Sequence, residues 1–115
     1  MPKRRLYDES LNQKLVSTTS EYVKGREVPQ GLILYVVHGA LEDETSSPDS
    51  LSFGKLIGSR FEALEEDDGP VSGVRYHTEH THHFLPGETP CWRVEGGVAD
   101  DVLTSHMEGY YEETE

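Results

Sequence analysis

The C-terminal third of the chain limits the fold most, because short strand-like runs alternate there with turn residues. Pro86-Gly87-Glu88 has turn chemistry and leads into residues 91–95, where apolar and polar side chains alternate. A glycine- and aspartate-containing loop follows, and residues 102–112 are typical of a last strand. Neither run carries a catalytic motif. This pattern favours a small antiparallel β module that binds or assembles.

The preceding sequence continues in the same way. Residues 15–23 have the composition of a first strand, and Val28-Pro29-Gln30-Gly31 forms a turn. Residues 32–37 are apolar without a polar break, which predicts a central strand buried on both faces. Residues 71–84 alternate for much of their length and predict another strand.

Residues 51–61 contain Gly54 and Gly58, and a strand with a bulge or bend fits them better than a helix. The polar residues 42–50 and the acidic residues 62–70 are predicted to be loops. Six or seven strands at intervals of ~10–18 residues indicate an all-β fold, a small antiparallel β-sandwich or jelly roll.

A chain of 115 residues has the length of one domain. Residues 1–13 mix charged and polar groups, and we interpret them as an N-terminal arm or a short helix. Residues 14–115 are then the β-sandwich domain, which ends in a short acidic tail.

The charge of the chain disfavours several classes of partner. With 22 Asp+Glu and 10 Lys+Arg, the formal net charge is -12, and such self-repulsion weakens as salt screens it. The composition is typical of proteins from salt-accumulating organisms, although an ordinary acidic protein remains an alternative. A nucleic-acid partner needs clustered cations, and Lys3-Arg4-Arg5 is too short for that role. We also expect no membrane partner, because no apolar run approaches ~18 residues.

The low apolar content of 34% indicates a core that is thin or shared between subunits. We therefore expect a homo-oligomer in which strand addition or arm exchange buries apolar surface. The aromatic and aliphatic residues near the two ends of the chain are the candidate subunit contacts: Leu6, Tyr7, Leu11, Tyr110 and Tyr111. Because Tyr110 and Tyr111 are adjacent in a strand, they are predicted to face opposite ways.

The histidines suggest a different class of function. Five of the six lie after residue 76, and His80 and His82 at spacing i, i+2 would share one face of a strand. Together with His106 or Glu88 they would form a set of ligands that suits Zn²⁺. The pair also resembles part of the first metal motif of cupins, but the second cupin motif has no counterpart. The alternative is a polar segment with solvated imidazole rings.

No pattern for catalysis accompanies these residues. Cys91 is the one cysteine, and a lone cysteine inside a strand is usually a small buried hydrophobe. Neither a nucleophile elbow nor a phosphate-binding glycine loop occurs. The carboxylate run 65–68 lacks the spacing of an EF-hand. We expect no enzymatic activity and no cofactor.

The order of these elements resembles the small β-sandwich or jelly-roll proteins of tailed-virus particles. The resemblance rests on the Val28-Pro29-Gln30-Gly31 turn, on Pro86-Gly87-Glu88 before a strand, and on the ending Gly109-Tyr110-Tyr111-Glu112. It spans roughly residues 14–113. It implies a non-enzymatic virion surface protein, namely a capsid decoration, turret or tail component that assembles in the host cytoplasm.

The acidity would then suggest a virus of halophilic archaea. The implied partners are further copies, as a trimer or pentamer, and other virion proteins. Two alternatives stay open: a cupin-like metal-binding β-barrel that uses His80, His82 and His106, and a cellular sugar- or ligand-binding sandwich.

Overall fold

Two antiparallel β-sheets form the protein. The computed structural model describes residues 4–14 and 20–114, and within these ranges the chain forms nine strands and no helix. The strands are β1 (Arg4–Lys14), β2 (Ser20–Lys24), β3 (Leu32–Asp43), β4 (Ser50–Ile57), β5 (Arg60–Asp68), β6 (Tyr76–His77), β7 (His82–Phe84), β8 (Glu88–Glu95) and β9 (Val102–Glu113).

The first sheet has the strand order β1-β9-β3-β6, and β7 pairs with β3 beside β6. The second sheet has the order β2-β8-β4-β5. The inward side chains of both sheets form one apolar cluster, which includes Leu34 and Leu103 from the first sheet and Phe53 and Trp92 from the second. This is a β-sandwich, and the predicted fold class is confirmed.

Aromatic rings fill the centre of the sandwich. Phe53 lies between Phe84 and Trp92, with ring centroids 6.0 and 5.2 Å away and both pairs edge-to-face. Trp92 and Val94 are buried in this cluster while Arg93 between them is partly exposed, so the predicted alternation along β8 is confirmed. The core is therefore built from both sheets at once.

The N-terminal segment is a strand. All eleven residues of β1 pair with β9, from Arg4 opposite Glu112 to Lys14 opposite Val102. The prediction of a short helix is therefore wrong, and the predicted boundary between residues 13 and 14 falls inside this strand. The sequence signal was weak because β1 lies at the sheet edge, where its outward positions are polar. Residues 15–19 of the predicted first strand lie outside the described residues, and β2 covers its remainder.

β3 is buried on one face rather than two. Leu32, Leu34 and Val36 point into the core, whereas Val37 is 49% exposed. The prediction of a doubly buried strand is wrong. In a two-layer sandwich each sheet has one face on the core, and the other face of β3 is open to solvent.

The acidic residues 62–68, predicted to be a loop, continue β5. β4 and β5 form a hairpin whose ladder shifts register between Phe53 and Gly54, so the predicted bulge is confirmed, and Gly58 occupies the turn with φ +63°. β5 is an edge strand, where charged side chains are tolerated.

Two further predictions differ from the structure. Within residues 71–84 only β6 and β7 are strands, so the predicted continuous strand is wrong. At the other end, Glu112 and Glu113 belong to β9 rather than to a tail, and Glu115 lies outside the described residues.

Candidate functional site

The outer face of the first sheet carries the densest group of chemically active side chains. Strand alternation points Asp8 and Ser10 of β1, and His106 and Glu108 of β9, away from the core. The register places Asp8 opposite Glu108 and Ser10 opposite His106. Side chains that are distant in sequence therefore meet on one surface.

These residues continue across the sheet as a histidine–carboxylate row, made of His77, His38, Glu108, His106 and Asp8. His77 Nδ1 and His38 Nε2 are 2.7 Å apart, and His38 Nδ1 is 3.4 Å from Glu108 Oε1. Glu108 Oε2 is 3.6 Å from His106 Nε2, and His106 Nδ1 is 3.7 Å from Asp8 Oδ1. The row crosses β6, β3, β9 and β1.

A β-bulge brings His38 into this row. The register of β3 with β9 shifts between Val36 and His38, so Val37 is unpaired and His38 lies opposite Glu108. Bulges commonly redirect side chains in this way. Gly109 permits the close approach of the β9 backbone to β3, because a Cβ at this position would lie 1.8 Å from the carbonyl oxygen of Tyr35.

An apolar patch adjoins the row on the same face and consists of Leu6, Tyr35, Val37 and Tyr110. Leu6 is 92% exposed, and the rings of Tyr35 and Tyr110 stack with centroids 5.0 Å apart. The guanidinium carbon of Arg4 lies 4.6 Å above the Tyr110 ring. Leu6, Val37 and Tyr110 line a shallow cavity of about 290 Å³. Such a patch suits a protein contact.

The predicted subunit contacts divide between the two faces of the first sheet. Leu6 and Tyr110 lie on the outer face, opposite each other in the β1–β9 ladder. Tyr7 is 1% exposed in the core, and Leu11 and Tyr111 pack against that core. Tyr110 and Tyr111 thus face opposite ways, as predicted. Their contacts with a second chain stay a prediction.

The three histidines of the predicted metal set lie in two different places. His106 belongs to the row on the outer face, whereas the ring of His82 lies 5.8 Å from the core ring of Phe53 and its Nε2 is 2.5 Å from Glu65 Oε2. His80 accompanies His82, with ring centroids 6.5 Å apart. Glu88, the alternative third ligand, pairs with Lys55 at 2.9 Å. Of these residues, His106 alone belongs to the group that the described part of the chain brings together as possible metal ligands, with Asp8 and Glu108. Metal binding by His80 and His82 stays a prediction.

Glu65 links the second sheet to the segment before β7. Its two carboxylate oxygens accept from the backbone N–H groups of Glu79 and His80, at 2.7 and 3.3 Å, besides the contact with His82. Burial alone would raise the pKa of Glu65, but these hydrogen bonds hold it below its usual value. Its role is structural.

The neighbouring surface is acidic. Glu65, Asp67, Glu79 and His80 line a cleft of about 300 Å³. Burial, together with the charges of Glu79, Glu65 and Asp68, raises the pKa of Asp67. This cleft repels anions, which disfavours nucleotide or phosphate ligands there.

A buried carboxyl pair joins two loops at one end of the sandwich. Asp43 and Asp101 are 2% and 1% exposed. The backbone N–H groups of Thr45 and Ser46 donate to Asp43 Oδ1, each at 3.0 Å, and the Ser46 hydroxyl donates to Asp101. Burial and the Asp101 carboxylate raise the pKa of Asp43, although the two N–H donors oppose them. Asp43 Oδ2 is buried with no hydrogen-bond partner among the described residues, so the neutral acid is favoured there over the carboxylate.

Cys91 has no geometry for catalysis. The side chain is fully buried, and its thiol contacts the backbone oxygen of Trp92 at 3.3 Å. Burial raises the pKa of Cys91 to about 12, so the reactive thiolate is suppressed. The expectation that this cysteine is a buried hydrophobe is confirmed.

Sequence reasoning missed His38, Glu108 and Asp8. The signal available was the alternation of His106 with Glu108 along the last strand, which places both on one face. The other partners required the register of β1 and β3 with β9, including the bulge at Val37.

In the described ranges, no helix has the length and apolar content needed to cross a membrane.

No protein-family model matches the chain, and no curated protein matches it in sequence. Solved structures are similar in fold. One comes from the work titled "Bacillus endospore appendages form a novel family of disulfide-linked pili", with 11% identity, a TM-score of 0.60, and coverage of 100% of this chain and 92% of that chain.

A second is described as "Crystal structure of PirA", with 9% identity, a TM-score of 0.53, and coverage of 88% of this chain and 93% of that chain. At these identities the likeness shows that the β-sandwich is shared.

Proposed function

We propose that this protein is a non-enzymatic structural subunit that assembles with copies of itself, and that the copies exchange strand β1. The observation that carries the proposal is the position of β1. It is an edge strand that precedes the other described strands, yet it supplies Tyr7 to the core. An edge strand that completes a core can do so in a second copy as well as in its own.

The contacts of β1 support this exchange. Its pairing partner is β9 along its whole length, so the strand can transfer as one unit. Tyr7 packs edge-on against Tyr111, and its hydroxyl donates to Glu9, itself in β1, at 2.5 Å. In an exchanged assembly, Tyr7, Leu11 and Tyr111 become contacts between subunits, as the sequence predicted.

Charge favours β1 over β5 as the assembling edge. β5 carries Glu62, Glu65, Glu66, Asp67 and Asp68, and repulsion opposes its pairing with a second copy. β1 carries cations and carboxylates in near balance, including Arg4, Arg5, Asp8 and Glu9. The exposed Leu6 beside it extends the contact surface.

The fold shared with the Bacillus appendage protein is consistent with a subunit of a polymer. That protein's pili are described as disulfide-linked. This chain has one cysteine, Cys91, which is fully buried, so its assembly must be held by noncovalent contacts. The buried thiol also supports the proposal that the protein is not an enzyme.

We further propose that the subunit belongs to a tailed virus that infects halophilic archaea, as a capsid decoration, turret or tail component. The order of turns and strands in the sequence and the net charge of -12 support this proposal. The copies would then form a trimer or pentamer and contact other virion proteins.

Engineered cysteines test the exchange directly. Asn12 and Thr104 are opposite each other on β1 and β9, and the Thr104 hydroxyl donates to the Asn12 side chain at 2.9 Å. In the variant Asn12→Cys/Thr104→Cys, made in a Cys91→Ala background, oxidation links whichever β1 and β9 are paired. We expect cross-linked dimers and larger species on a nonreducing gel.

The two single-cysteine variants in the same background are the controls, since each can form at most a dimer. A double variant that cross-links completely yet runs only as single chains shows that β1 pairs within its own chain. That result contradicts the exchange.

A further inference from the structure

We propose that the histidine–carboxylate row contains a divalent transition-metal site, with Zn²⁺ as its expected occupant, and that the metal joins β1 to β9. The core of the site is Asp8, His106 and Glu108. One donor atom of each lies within 4.8 Å of the other two. Imidazole nitrogens and carboxylate oxygens in this combination suit Zn²⁺.

The ligands can reach coordination distance without a backbone change. Tetrahedral Zn²⁺ with bonds of ~2.0–2.1 Å holds its ligand atoms a little over 3 Å apart, so donors that lie within 4.8 Å must approach by at most about 1.5 Å. Asp8 and Glu108 have side chains that are 69% and 51% exposed, and rotation about their bonds provides this movement. The site is therefore open to metal from solvent.

His38 lies on the other side of Glu108, outside the group of three ligands, and can orient the Glu108 carboxylate from there. Its Nδ1 is 3.4 Å from Glu108 Oε1, while His106 Nε2 is 3.6 Å from Glu108 Oε2. The carboxylate thus lies between two imidazoles. The bulge at Val37 places His38 on this face, beside the Glu108 carboxylate.

Both histidines have a polar partner on the ring nitrogen that faces away from Glu108. His38 Nε2 is 2.7 Å from His77 Nδ1, and His106 Nδ1 is 2.9 Å from the Ser10 hydroxyl. In the tautomer in which His106 Nδ1 donates to the Ser10 hydroxyl, His106 Nε2 is free to coordinate. Metal-binding histidines are generally oriented by such outer hydrogen bonds.

The site has a consequence for β1. Asp8 belongs to β1, whereas His106 and Glu108 belong to β9, so bound metal strengthens the attachment of the terminal strand. The metal can join these strands whether they come from one chain or from two. Metal binding per chain is therefore measurable even if the proposed strand exchange fails.

Competition with a chromophoric Zn²⁺ chelator tests the site. We expect one Zn²⁺ per chain, and a rise in the melting temperature that EDTA reverses. His38→Ala/His106→Ala should lose stoichiometric binding and the thermal shift, with an unchanged circular dichroism spectrum. His38→Ala alone, which removes an outer partner of Glu108, should weaken binding by about 10- to 100-fold.

The matched control is His80→Ala/His83→Ala, which also removes two histidines but leaves the row intact. It should bind Zn²⁺ as the unaltered protein does. Absence of stoichiometric Zn²⁺ in the unaltered protein overturns the proposal. So does retention of the metal by His38→Ala/His106→Ala, or its loss from the control.

Discussion

The ring of Tyr7 on β1 packs edge-on against the ring of Tyr111 on β9, with centroids 5.4 Å apart and planes at 83°. The terminal strand thus contributes a buried aromatic side chain to the sandwich. Burial, the hydrogen bond to Glu9 and the charge of Glu9 raise the pKa of the Tyr7 hydroxyl. β1 is therefore part of the core and at the same time the strand best placed for exchange.

Replacement of Tyr7 should strongly destabilise the fold. Tyr7→Ala removes a side chain that is 1% exposed, and we expect a loss of about 3–5 kcal/mol in the free energy of unfolding. Leu6→Ala, on the same strand but 92% exposed, should change it by less than about 0.5 kcal/mol. Urea unfolding measures both. Equal effects would mean that β1 does not complete the core.

Asp43→Asn should stabilise the protein at neutral pH. Because burial raises the pKa of Asp43, its charged form disfavours the folded state, and stability rises as pH falls from 7 through this pKa. Asparagine keeps the acceptor for Thr45 and Ser46 and adds a donor toward Asp101. We expect a gain of about 1–2 kcal/mol at pH 7 and a weaker dependence of stability on pH as the pH falls from 7.

The pKa values of Asp101, Glu65 and Glu88 are lowered, so their effect on the pH dependence of stability has the opposite sign. Their stabilising contributions are present above their unfolded values and are lost on strong acidification. Chemical denaturation at several pH values follows both effects. A variant Asp43→Asn that is less stable at pH 7 than the unaltered protein would show that the charged form of Asp43 does not disfavour the folded state.

Salt should stabilise the protein through its acidic edge. Asp67 lies among Glu65, Asp68 and Glu79. Burial is the larger cause of its raised pKa, and the charges of these three carboxylates raise it further. The melting temperature should rise between ~0.1 and ~1 M KCl as the Debye length falls from ~10 to ~3 Å. Asp67→Asn should raise it at low salt and reduce the slope, whereas Glu27→Gln on an exposed loop should do so less. An equal effect of both variants would assign the salt response to net charge alone.

Glu65→Ala should loosen the segment before β7. It removes the acceptor for the N–H groups of Glu79 and His80 and for His82, and hydrogen bonds to a charged group contribute about 1.5–3 kcal/mol. Hydrogen exchange at residues 79–82 should accelerate. Glu62→Ala on the same strand, with an exposed side chain, is the control. Unchanged exchange in Glu65→Ala would show that other contacts hold the segment.

The sequence predicted those elements whose side chains alternate clearly or whose turns contain glycine and proline. The β8 and β9 strands and the bulge at Gly54 are examples. The prediction failed for β5, because a run of acidic residues like the one in this strand is more typical of a loop. The histidine–carboxylate row was not predictable, because it depends on pairing between the two ends of the chain and on an unpaired Val37.

The molar mass in solution distinguishes an assembling subunit from a single chain. We would measure it by light scattering in ~1 M KCl, where surface charges are screened, across a range of protein concentrations. We expect a mass of at least two 12.9 kDa chains. A monodisperse species of one chain at every concentration would contradict it.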